Sequence, residues 1–185
     1  MSRTLSLAVA VVTCGAACTE AANPTDDVDA GPEEADGAVF AELPDMSGEW
    51  LVRARADLDG DFFFNFRGTI VFTRVTDNTA ELDLVLQPLD FETLEPVGDP
   101  IVGSTVEIRS DGSFDWPMVG VIPDRCNSIT QADVDIDSVV HGTIRDADFQ
   151  CGGLTGQAGV LALDGMTYGG VRIVDTLPAP LHACP

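Results

Sequence analysis

The chain has 185 residues, 31 of them acidic against nine basic, for a formal charge of −22, and every basic residue is Arg. That balance excludes nucleic acid as a partner, since nothing could displace counterions from a phosphate backbone, and it disfavours direct contact with anionic lipid. The length suits one domain with a real core, and 45% apolar but only 6% aromatic residues, with 18 Gly and 11 Pro, fit many short strands better than a helical bundle.

Arg3 is the only charge before Glu20, and Leu5 to Val12 form a short apolar run. Such a run has the length of a signal-peptide core and is too short to span a bilayer. Thr13-Cys14-Gly15-Ala16-Ala17-Cys18 follows. This resembles a bacterial lipoprotein signal, in which a small residue precedes the Cys that is diacylated and begins the mature chain. Cys18, after Ala17, is the expected lipidation site, with Cys14 the alternative. The resemblance implies an exported protein of the cell envelope, held at the outer membrane by its N-terminal lipid. An ordinary secretory signal is the competing reading. Residues 1–17 are thus expected to be a signal peptide. Residues 18–46 are expected to be a lipid-anchored, disordered acidic spacer, because nine acidic residues and no basic one lie between Thr19 and Asp45. Flexible chain of that length reaches about 30 Å.

Period-two alternation begins at Ser47 and predicts a domain over 47–185. Residues 49–56 place Trp50, Val52, Ala54 and Ala56 on one face. A second strand aligns Phe62, Phe64, Phe66, Gly68, Ile70 and Phe72, and a third aligns Ala80, Leu82, Leu84 and Leu86. Strands follow at about 101–109, at 113–121 with Phe114, Trp116 and Met118, and at 134–140 with Val134, Ile136, Ser138 and Val140. The last two are expected at about 157–163 and 167–175. Alternation of this kind marks strands with one buried and one wet face. Asp59-Gly60, Asp77-Asn78, Asp111-Gly112 and Asp164-Gly165 supply turn chemistry. Eight strands joined mostly by short turns predict an all-β, antiparallel up-and-down barrel, with a β-sandwich as the alternative.

Gly48-Glu49-Trp50 resembles the G-x-W signature of lipocalin and avidin-type barrels. Arg172 stands in the last strand, where lipocalins place an Arg against that Trp, and Ala147-Asp148-Phe149 is similar to the lipocalin T-D-Y loop motif. In a meander these three segments share one end of the barrel. The resemblance therefore implies a lipocalin-like domain whose end is closed by Trp50 and Arg172. Their role there is structural, a planar cation stacked on an aromatic face. The chain stops soon after the last strand, without the C-terminal helix usual in lipocalins.

Loop alternation also sorts the cysteines. Cys151 and Cys184 belong to one end and Cys126 to the other, a strand length of roughly 25–33 Å away. Disulfides need Cα atoms within about 7 Å, so Cys151 is expected to pair with Cys184. Cys126 is then a free, alkylatable thiol or pairs between molecules. Cys126–Cys151 is the alternative if loops fold back far.

Chemistry has few candidates. Asp57-Leu58-Asp59-Gly60-Asp61 begins like a calcium loop, but the spacing of an EF-hand fails at Phe62, and a turn explains it better. His141 and His182 stand apart from each other and from any cysteine. No nucleophile elbow, zinc-binding helix motif or phosphate loop is present. The expectation is a non-catalytic protein with no metal or cofactor. Its partner is the membrane, through the lipid, and beyond that an unknown envelope protein or a small hydrophobic ligand. Phe64, Phe66, Phe72, Leu84, Trp116 and Met118 could line an apolar calyx for such a ligand, or fill a solid core.

Overall fold

The computed structural model describes residues 40–56 and 62–184. The alternating segments form antiparallel strands: β1 Gly48–Arg55, β2 Phe63–Arg74, β3 Ala80–Leu89, β4 Ile101–Val102, β5 Val106–Ile108, β6 Ser113–Ile122, β7 Val134–Ile144, β8 Phe149–Ala158, β9 Leu161–Ala162 and β10 Thr167–Ile173. They lie in one sheet, in the order β4-β3-β2-β1-β10-β8-β7-β6, with β5 beside β3 and β9 beside β8. If β4 and β5 are one interrupted strand and β9 an adjunct of β8, this is the expected eight-stranded meander. The first and last strands pair, from Glu49↔Ile173 to Arg55↔Thr167, so the sheet curls into a nearly closed barrel and not a sandwich. The break falls between β4/β5 and β6, where no ladder forms.

A β-bulge accounts for the interruption. Val85 opposes Val102 and Leu82 opposes Val106, so three steps along β3 match four along the facing strand. One extra residue within 103–105 bends that strand and ends its regular pairing.

One face of each strand fills the interior. Trp50, Val52 and Ala54 from β1 meet Phe64, Phe66 and Ile70 from β2, Leu82, Leu84 and Leu86 from β3, and Phe114, Trp116 and Met118 from β6. Burying each large side chain contributes about 1.5–3 kcal/mol. Gly142 makes room for this packing. A Cβ there would stand 2.1 Å from the Phe114 ring and 2.5 Å from the Tyr168 hydroxyl. Two of the expected turns use glycine for its left-handed backbone, at Gly112 (φ 78°) and Gly165 (φ 88°).

Two boundaries differ from those the sequence predicts. The seventh strand of the meander is Phe149–Ala158, earlier than 157–163. Its inward positions include Gly152 and Gly156, and its outward Cys151 is buried, so the alternation that should have announced it is blurred. The described part of the predicted spacer, residues 40–46, packs on the barrel. Leu43 and Met46 are fully buried, and Phe40 is partly buried against the core. Three apolar groups among the acids were enough to order the segment. The lipidation candidates Cys14 and Cys18 and the Asp57–Asp61 turn lie outside the described residues.

Candidate functional site

A barrel offers three places for function: its ends, its interior and its outer wall. One end is sealed by the incoming chain. Phe40 N–H donates to Ser110 O (3.0 Å) and Leu43 N–H to Asp77 O (2.9 Å), while the Trp50 indole N–H donates to Met46 O (3.0 Å). Arg172, directly across from Trp50 in the β1–β10 ladder, holds its guanidinium carbon 5.0 Å from the centre of the indole ring. It also donates to Ala147 O (2.9 Å from Nε), Asp45 O (2.6 Å) and Ser47 O, and pairs with Asp148 (3.0 Å). One side chain thus joins the incoming segment, the β7–β8 loop and the last strand. The three segments that carry the lipocalin-like residues do converge.

The opposite end is covered by the loop between β6 and β7. Ser128 Oγ accepts from Phe63 N–H and donates to Phe63 O, both at 3.0 Å, satisfying β2 beyond the end of β3. Phe91 N–H donates to Arg125 O (2.8 Å), and Arg125 pairs with Asp90 (2.5 Å). The Cys126 thiol donates to Asn65 O (3.3 Å) in full burial. Burial pushes its pKa up to about 12, so the thiolate needed for alkylation is scarce and enclosed. Cys126 is thus the expected free thiol, and its burial means that alkylation without reduction requires unfolding.

Cys151 and Cys184 form the expected disulfide, with Cα atoms 5.3 Å apart. It straps the C-terminal tail to the outer wall. His182 Nε2 lies 3.3 Å from Arg55 Nη1, and the Leu181 backbone covers Gly169, where a Cβ would stand 2.8 Å away. A covering segment of this kind explains why outward-facing Cys151 is buried.

The interior decides what the calyx candidates do. Its cavity measures about 20 Å³, between Val52, Phe66, Leu84, Phe114, Met118 and Tyr168. That is room for about one water, whereas ligand pockets run to roughly 300–1,000 Å³. Of the predicted lining residues, Phe66, Leu84 and Met118 touch this space; Phe64 and Trp116 are fully buried in the core, and Phe72 is only partly buried. The Tyr168 hydroxyl donates to Gln150 Oε1 at 3.5 Å, and burial pushes the phenol far above its ordinary pKa.

The outer wall carries one arrangement that the sequence did not disclose. His141 Nδ1 lies 2.7 Å from Asp115 Oδ1, and its Nε2 lies 2.8 Å from Thr155 Oγ1. Arg109 donates to the other Asp115 oxygen at 2.6 Å. The pairing of β6 with β7 and β7 with β8 brings these side chains together on an exposed, convex surface. The histidine was visible in the sequence, but its partners are 26 and 14 residues away, and only strand register could have found them. Among the described residues no group of His, Cys, Asp and Glu is placed to hold a metal ion.

Four aspartates give the fold a pH dependence. Asp45 is held below the usual carboxylate range first by the Ser47 backbone N–H, and Asp90 by that of Thr93. The Ser113 side chain does the same for Asp111, and Arg109 and then His141 for Asp115. A depressed pKa in the folded state adds stability above the unfolded value, about 3.9, and that stability is lost as pH falls through the folded values. Denaturation midpoints measured between pH 6 and pH 2 should therefore drop below about pH 4. Replacing Asp90 with Asn should shrink that drop. No family model, curated protein or solved structure matches the chain.

Proposed function

We propose that this is a non-catalytic, exported lipoprotein of the cell envelope that presents a filled, lipocalin-like barrel on an acidic tether and works through its outer surface. The filled interior carries the reading, because a cavity of about 20 Å³ favours a surface role over the small hydrophobic ligand of the alternative, a carrier or sensor. The convergence of Trp50, Arg172 and the β7–β8 loop at the sealed end supports the lipocalin-like assignment. The Ala17-Cys18 junction after a short apolar run supports the anchor. Export agrees with a disulfide, which persists in oxidising compartments. The exposed Asp115–His141–Thr155 chain reads as a cross-strand clasp in this account.

Titration with a long-chain fatty acid, followed by the emission of Trp50 and Trp116, tests the choice between surface and interior. The expected result is no saturable change. Saturable binding with one site per chain would restore the carrier reading.

A further inference from the structure

The break in the barrel is more than a missing ladder. Ile144 N–H donates to Gly112 O, which fixes which residues of β6 bond to β7. Antiparallel strands alternate, so Phe114, Trp116 and Met118 direct their backbone groups to β7, while Pro117, Val119 and Val121 direct theirs into the seam beside β4 and β5. Pro117 has no N–H to offer, which a sheet tolerates at an edge. Across the seam stands the bulge. A Cβ on Gly103 would lie 2.3 Å from Trp116 Nε1, so the indole edge packs against this segment, and its N–H is fully buried without an acceptor.

The lips of the seam are apolar and its rim is anionic. Val102, Val119 and Val121 are 67%, 65% and 49% exposed. They line a groove of about 420 Å³ together with Asp99 and Asp133. Val119 pairs with Asp137 and Val121 with Asp135, so two more carboxylates flank the valines on the adjoining strand. Among the described residues none of these four aspartates forms an ion pair, although Asp115 on the same wall is paired with both Arg109 and His141. Proline, bulge and charge can also blunt an edge against aggregation. A blunted edge would place charge where the exposed valines stand.

We propose that this seam is a docking site for an extended, cationic segment of a partner protein, added as a strand along Val119–Val121. Its apolar side chains would meet Val102, Val119 and Val121, and its Lys or Arg side chains the four aspartates. Main-chain bonds supply affinity in such strand addition and alternating side chains supply specificity. β4 is two residues long and held to β3 by two pairings, so it is the element that yields. The inference rests on the reading that the outer wall, and not the interior, engages the partner.

The probe is an alternating Lys-Val heptapeptide, with a Lys-Ser heptapeptide of equal charge as control, added to the protein with its disulfide intact. Binding should slow amide exchange at Val119 and Val121 by about tenfold or more and shift the Trp116 indole N–H resonance. Val121→Lys, at an exposed position outside the core, should weaken binding roughly tenfold through like-charge repulsion of the cationic segment and loss of its apolar contact. Equal binding of the Lys-Ser peptide, or unchanged exchange at Val119 and Val121, would overturn the seam. Changes confined to Phe66, Met118 and Tyr168 would instead overturn the surface reading, which separates the two failures.

Discussion

Replacing Trp50 with Ala should destabilise the protein by about 3–5 kcal/mol, the usual cost of emptying a buried aromatic site. The indole is completely buried, donates to Met46 O and supports the Arg172 guanidinium. Its loss removes the floor of the sealed end and leaves a buried carbonyl without its donor. For a domain of this size the melting temperature should fall by about 10 °C or more. An unchanged melting temperature would show that the sealed end contributes nothing, and that the G-x-W resemblance is accidental. Because Arg172 ties three segments, Trp50→Ala should also speed amide exchange at Ser47 and Asp148 ahead of global unfolding.

Removing the disulfide should cost nearly as much. Chain-entropy arithmetic for the stretch from Cys151 to Cys184 gives about 3–4 kcal/mol. The double replacement Cys151→Ser and Cys184→Ser avoids a stray thiol and should lower the urea midpoint accordingly. Non-reducing peptide mapping should find Cys151 joined to Cys184, and Cys126 open to alkylation only after denaturation, as its burial requires. A Cys126–Cys151 bridge would contradict the meander itself, since those residues stand at opposite ends.

Much of this architecture was legible in the residues. Alternation in Trp50–Ala56, Phe64–Phe72, Ala80–Leu86 and Phe114–Met118 located strands because each presents one continuous dry face. The disulfide followed from counting loops, and the Trp50–Arg172 contact from resemblance. What escaped had physical causes. Gly152 and Gly156 erase the pattern of β8, since glycine adds no apolar side chain to count. The bulge within 103–105 shifts register by one residue, which changes pairing without changing composition. Phe40, Leu43 and Met46 were hidden in an acidic stretch whose average polarity suggested a spacer. The candidate site was less legible still. The same phenylalanines and leucines could line a calyx or fill it, and only their packing against one another decides. The seam was invisible because it depends on which strands fail to pair.

Intact native mass spectrometry of the protein recovered from its own cells distinguishes a tethered barrel with an occupied core and a working surface from a ligand carrier. The expected mass is that of the chain from Cys18, carrying acyl groups and one disulfide, with no small molecule retained. A retained apolar molecule at one per chain would contradict the account.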